Sequence, residues 1–237
     1  MPEVTVANFN MQWGMDRKGR PFDFVDVCRR LDADIIGLEE VWRPHGGHCS
    51  VDDAATELGY TLLELPLAPD TFRPRPRRIV VPPGRPGTWG LGLLTRLPVQ
   101  ERFDIDLGHA RGDHVARRIA LCVEVDVDGT PFVFATVHAS HRIYGSPPQL
   151  RRLARGLDAY ELPNVIAGDC NMWGVVLAPL LPNRRRAVRG ATWPASLPHS
   201  QIDHIWMSPG IEALEGEVLD RTGSDHRPIR ARLRLPG

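Results

Sequence analysis

Asn164-Val165-Ile166-Ala167-Gly168-Asp169-Cys170-Asn171 is the stretch on which the reading of this chain turns. An unbroken run of Val, Ile and Ala describes a short strand buried on both faces. The run stops at Gly168, and a carboxylate and an amide follow, two residues apart. Polar groups delivered at a strand end sit where the loops of a sheet carry chemistry.

Working outward, the same arrangement recurs. Val4–Asn10 reads as a first strand with Asn10 at its end, and Asp34–Leu38 as a buried strand ending in Glu39-Glu40. His138 closes the strand-like run 131–138, and Asp203 opens another at 203–207 after a polar turn. Asp225 and His226 immediately precede 228–235, whose clean alternation marks a last strand. Further strands are expected at 60–65, 90–95, 99–105 and 118–127, with a broken one near 211–219. Helical spacing appears over 22–31, 52–58 and 147–160, the last with Pro near its start. Residues 66–88 are rich in Pro, Gly and Arg and read as one long loop. Many strands with few interposed helices and no linker indicate a single α/β domain on two packed sheets, spanning residues 1–237.

Composition sets the outer bounds. The chain has 237 residues, 42% hydrophobic, with 29 basic against 29 acidic side chains, so no global charge advertises a polyanionic partner. No apolar run is long enough for a membrane span and no signal peptide is visible, so a soluble, cytoplasmic protein, monomeric by preference, is expected. Cys28, Cys49, Cys122 and Cys170 show no C-x-x-C spacing, which argues for structural thiols and against a zinc site. Lys18 is the sole lysine; arginine abundance is therefore compositional and does not by itself indicate nucleic-acid binding.

Each of the singled-out acids, amides and imidazoles falls at a strand boundary. If those ends converge, they form a set of hard oxygen ligands with two histidines, the inventory suited to Mg²⁺ or Mn²⁺.

With these motifs in order, the chain resembles the endonuclease/exonuclease/phosphatase superfamily. The motifs are Phe9-Asn10-Met11, Leu38-Glu39-Glu40-Val41, Thr136-Val137-His138, Gly168-Asp169-Cys170-Asn171, Ile202-Asp203-His204 and Ser224-Asp225-His226-Arg227-Pro228. The resemblance implies a four-layered α/β sandwich, two packed, mainly antiparallel sheets flanked by helices. It implies a metal on Glu40, assisted by Asn10 and Asp225, and a water activated by Asp169. Asn171 would hold the phosphate or that water. His226, paired with Asp203, and His138 would stabilise the phosphorane or assist the leaving group. Arg118, with Arg117 as the alternative register, would meet the phosphate. A phosphodiester repels hydroxide, so such a site works by neutralising charge and aligning the nucleophile.

Two departures qualify the resemblance. Gln12 stands where some AP endonucleases carry an acid, and His138 stands where they have no histidine, so abasic-site repair is not the first choice; Cys170 replaces an aromatic, a packing change that leaves the chemistry intact. Glu39 is read as solvent-facing or as a support for Glu40, and Trp173 is weighed as a base-stacking side chain. Two arginine groups bear on the substrate: Arg75, Arg77 and Arg78 within the long loop, and Arg184-Arg185-Arg186 with Arg189. If they flank the site they suit a polymer with repeated phosphates, and metal-dependent cleavage of DNA or another nucleic acid is the first reading; the alternative is a phospholipid head group, inositol phosphate or other small phosphoester, and a non-enzymatic binding module comes last.

Overall fold

The computed structural model describes residues 1–69, 87–113, 115 and 117–236. Arg75, Arg77 and Arg78 lie outside these residues. Twelve strands form two six-stranded sheets. The first contains β1 (Glu3–Asn10), β2 (Ile35–Pro44), β3 (Thr61–Pro69), β4 (Gly87–Thr95), β11 (Glu212–Val218) and β12 (Ile229–Arg234), in the order β11-β12-β1-β2-β4-β3. The second contains β5 (Val99–Gly108), β6 (Arg118–Val127), β7 (Thr130–His138), β8 (Asn164–Asp169), β9 (Arg185–Arg186) and β10 (Asp203–Met207), in the order β5-β6-β7-β8-β10-β9. Pairing is antiparallel except at the centre of each sheet, where β1–β2 and β7–β8 run parallel. The expected mainly antiparallel sheets are thus mixed, with one parallel pair in each.

The helices are set by local signals. In α1 (Phe24–Leu31), Asp23 caps the start by accepting the Asp26 amide at 2.9 Å, and Phe24, Val27, Cys28 and Leu31 form the buried stripe. In α2 (Ser50–Leu58), Asp52 folds back to the Cys49 amide and Gly59, at φ 69°, ends the helix. In α3 (Ser146–Asp158), prolines occupy the first turn and Leu150, Leu153 and Leu157 face inward. A single turn, α4 (Gly174–Leu177), follows β8.

Three apolar clusters fill the space between four layers. Val4, Val6, Ile35, Leu93, Phe134 and Val165 belong to the core between the sheets. Phe9, Ile36 and Leu38 pack under α1 and α2, while Ala135, Ile166 and Trp206 pack under α3. β8 is buried along its whole length because both its faces are covered, which explains its unbroken apolar run. Truncating a residue such as Leu153 to Ala would cost about 2–5 kcal/mol. All four cysteines are reduced and buried, as their spacing indicated.

Three expectations need adjustment. β2 does not end at Glu39-Glu40 but continues to Pro44 through a register shift against β4 between Leu38 and Val41. The long loop is shorter at both ends than 66–88, because β3 and β4 extend their pairing to Pro69↔Thr88. Glu39 is not solvent-facing: it is fully buried.

Candidate active site

The period of two along a strand explains how the site assembles. Val165 and Ala167 of β8 face the core between the sheets, so Asp169 points the same way. The same count carries Phe132 and Phe134 to His138, Ile205 and Met207 back to Asp203, and Val4 and Val6 forward to Asn8 and Asn10. The apolar core therefore gives way to polar side chains at one end of the sandwich. Register then sets them side by side: His138 pairs with Asp169 across β7–β8, and Asp169 with Asp203 across β8–β10. Gly168 allows this close approach, since a Cβ there would collide with the Val137 carbonyl oxygen.

Asp169 is the hub. Its Oδ2 accepts from Asn10 Nδ2 at 3.1 Å, and its Oδ1 accepts from the Asn171 amide at 2.8 Å. Nε2 of His138 and Nε2 of His226 approach the same Oδ2 at 3.6 and 3.7 Å. Burial pushes the Asp169 carboxyl up to about 6, with the Asp203 charge adding to the rise and His226 opposing it. Burial works against the His226 imidazolium, but the carboxylates of Asp203 and Asp169 overcome it and hold this histidine well above its ordinary range. His226 Nδ1 lies 3.0 Å from both Asp203 oxygens. Asn171 sits at φ 49° and anchors its side chain on the Ala139 carbonyl, at 3.1 Å.

Glu40 reaches the site by a different device. Alternation would turn it away from Glu39, toward the helical layer. The register shift of β2 is a β-bulge with Glu40 at φ 55°, and it re-aims the carboxylate into the cleft. Burial and the neighbouring Asp225 charge push Glu40 up to about 7, while a hydrogen bond from Asn10 opposes that rise. Glu39, one residue earlier, accepts from Asn8 Nδ2 at 2.6 Å and from Thr136 Oγ1 at 3.1 Å, tying the two sheets together beneath the site. Its role is thus support rather than solvation.

The chain closes around these groups. Ser224 Oγ donates to the Asn10 carbonyl at 2.7 Å, and the His226 amide donates to Ser224 Oγ at 3.1 Å. Gln12, which replaces a candidate acid, accepts the Asp225 amide at 2.8 Å and so positions that residue instead. Arg118 is buried, with Nε and Nη2 each 3.0 Å from an Asp113 oxygen and Nη1 3.2 Å from the His138 carbonyl. Arg117 points elsewhere, to Asp106. Asp113 escaped the sequence reading because nothing local marks it.

These residues open on a cleft of about 440 Å³ whose walls include Glu40, Arg118, His138, Asp169, Asn171 and His226. His141, Met172, Trp173 and Trp193 line it as well; of these, Trp173 alone was singled out from sequence. The second arginine group does not join the cleft. Arg184 is buried on Asn164 and Asp158, and Arg186 stacks over Trp206, so the expectation that this group flanks the site fails for both.

Could the site hold a divalent cation? Four carboxylates, Glu40, Asp169, Asp203 and Asp225, converge here, and two of them, Glu40 and Asp169, are raised toward neutrality by burial and by the charge of neighbouring acids, a crowding that a cation relieves. Asp169, Asp203 and His226 also present one donor atom each within 4.8 Å of one another.

Comparisons with known proteins agree with this fold. The solved structure of an endonuclease/exonuclease/phosphatase from Beutenbergia cavernae superposes with a TM-score of 0.80 at 22% identity, covering 100% of this chain and 72% of that one. A mannosyl-6-phosphatase from Bacteroides thetaiotaomicron matches with a TM-score of 0.73 at 18% identity, over 98% of this chain and 100% of that one. The human Nocturnin catalytic domain with bound sulfate gives 0.72 at 15% identity, over 98% of this chain and 94% of that one. No curated protein sequence matches. The profile of the Endonuclease/Exonuclease/phosphatase family spans residues 7–226, from the strand carrying Asn10 to His226 itself, and the chain belongs to that family of hydrolytic phosphoesterases.

Proposed function

We propose that the protein hydrolyses a phosphodiester with the help of a divalent cation, Mg²⁺ or Mn²⁺. The observation that carries this reading is the buried Asp169 carboxylate, held by Asn10 and the Asn171 amide and faced by two histidine Nε2 atoms. Glu40, Asn10 and Asp225 would hold the cation. When bound, it would act as a Lewis acid on the phosphoryl oxygen. The set Asp169, Asp203 and His226 is assigned to chemistry instead, because Nδ1 of His226 is already committed to Asp203.

Asp169 orients the attacking water and takes its proton as the new P–O bond forms and the opposite P–O bond to the leaving group breaks, the departing oxygen taking up a proton from solvent. Asn171 holds that water or a phosphate oxygen. His226, kept cationic by Asp203, stabilises the charge gathering on the phosphorane, and His138 approaches the phosphate or leaving group from the β7 side. Arg118 lends positive charge from the cleft wall, tempered by Asp113.

A diester fits this wall better than a monoester. Arg118 is the only arginine or lysine among the described residues that line the cleft, and it is already paired, so a dianion would be poorly compensated. The nucleic-acid reading rests on Arg75, Arg77 and Arg78, which lie outside the described residues. The apolar side chains on the cleft wall favour the alternative, a phospholipid or other apolar diester. The test is hydrolysis of bis(p-nitrophenyl) phosphate and of p-nitrophenyl phosphate with Mg²⁺ and with chelator. Metal-dependent turnover of the diester, lost in Asp169→Asn, is expected. Full turnover in excess chelator, or by Asp169→Asn, would overturn the reading.

A further inference from the structure

Large apolar side chains stand in solvent at few places among the described residues. Apart from Met1, they fall in three segments, 143–144, 173–176 and 193–197. Each segment sends one residue, Ile143, Trp173 or Trp193, into the wall of the catalytic cleft. An apolar rim therefore surrounds the mouth of a site built for phosphate chemistry.

Among the rim's aliphatic side chains Ile143, Val175, Val176 and Leu197 are 70%, 74%, 41% and 76% exposed, and among its aromatic ones Tyr144, Trp173 and Trp193 are 58%, 54% and 36% exposed. A small molecule lodged in the cleft would cover Trp173 and Trp193. It would not cover Val175 or Leu197, which lie two residues beyond Trp173, in α4, and four residues beyond Trp193, and do not line the cleft. Burying those tips requires something broad, and isolated exposed apolar residues are ordinary whereas a contiguous collar around a site is not.

Charge narrows the occupant. Residues 141–145, 173–178 and 193–199 contain no Asp or Glu. They carry the exposed Arg142, whose guanidinium donates to the Gly112 carbonyl at 2.9 and 2.7 Å, beside the exposed Arg111, whose carbonyl accepts from the Tyr144 hydroxyl. In a chain of zero net charge, the rim is thus apolar with a positive margin. Exposed aliphatic and aromatic side chains beside arginines match the acyl, interfacial and phosphate parts of a phospholipid surface.

We propose that this rim docks the enzyme on a phospholipid surface, which presents head groups to the cleft. The docking half stands on the rim alone; the statement that a head-group diester is cleaved there rests on the phosphodiesterase reading above. Flotation with vesicles of phosphatidylcholine and phosphatidylglycerol, in chelator so that no turnover occurs, reads the docking by itself. Turnover of soluble bis(p-nitrophenyl) phosphate with Mg²⁺ reads the hydrolase by itself.

Wild-type protein should float with the vesicles. Val175→Ser combined with Leu197→Ser should weaken that binding by about tenfold or more, while turnover of the soluble diester is unchanged. Wild type that stays with the soluble fraction overturns the docking and leaves the hydrolase reading intact. Equal flotation of the double variant overturns it as well. A dimer of wild type that the double variant dissolves would assign the rim to a second copy of the chain, and loss of DNA nicking without any vesicle binding would assign it to nucleic acid; either result overturns the lipid proposal.

Discussion

Asp203 grips His226 with both carboxylate oxygens, each 3.0 Å from Nδ1, so that Nε2 is the nitrogen turned toward Asp169. The acid fixes the ring and sustains its charge, and the two residues act as one unit. His226→Ala should therefore lower kcat by about 10²–10⁴-fold, and Asp203→Ala by less. The double variant should be no slower than His226→Ala alone, because Asp203 has nothing left to support. Steady-state rates on bis(p-nitrophenyl) phosphate test this; additive losses would give Asp203 an independent role.

Asp169→Asn keeps the volume and most hydrogen bonds of the hub but removes its charge. Turnover should drop by about 10²–10⁴-fold. Stability without metal should be retained or rise by up to about 2 kcal/mol, since a buried carboxylate crowded by other acids is relieved. Thermal unfolding in chelator measures it, and a large loss of stability would recast Asp169 as a structural anchor.

Metal removal should abolish activity without unfolding the protein, because the three apolar cores contain no ligand. Mg²⁺ or Mn²⁺ should restore it. Glu40→Gln should raise the metal concentration needed by roughly 10–100-fold. Circular dichroism and activity during a chelator and metal titration decide the matter; a chelated protein that unfolds would place the cation in the core instead.

Asp113 carries a stability prediction. Its burial would raise its carboxyl, but Arg118 outweighs burial and holds it far below its ordinary value of 3.8. A depressed folded value means that the pair's contribution is complete above about pH 4 and is lost as the pH falls toward that folded value. Asp113→Asn strands the buried Arg118 and should cost about 3–5 kcal/mol at pH ~7. The gap between wild type and variant should shrink at pH ~3, as urea unfolding would report. A constant gap would mean that packing rather than charge is lost.

Much of this site could be read from residues alone because alternation along β8, β7 and β10 is a local property, and their polar ends mark the end of the core. Glu40 was legible as a residue but not as a geometry. Its bulge arises from pairing of β2 with β4, and its positive φ falls on a residue type that gives no hint of it. For a related reason Glu39 could be read either as solvent-facing or as a support: its partners, Asn8 and Thr136, come from strands 31 and 97 residues away. Asp113 and His141 sit in irregular segments where no period informs placement. The arginines misled because a basic side chain in an arginine-rich chain has the same letter whether it is exposed or, as Arg184, buried on Asn164.

β1 and β12 are neighbours in the first sheet, from Glu3↔Arg234 to Asn8↔Ile229, and Ser224 fastens the approach to β12 onto Asn10. β1 thus waits for β12, synthesised some two hundred residues later, before its exposed edge is covered. Until that seam closes, Asp225 and His226 are absent from the cleft. A fragment that ends between β10 and Asp225 would lack both residues and carry an unpaired strand edge, a natural target for proteolysis.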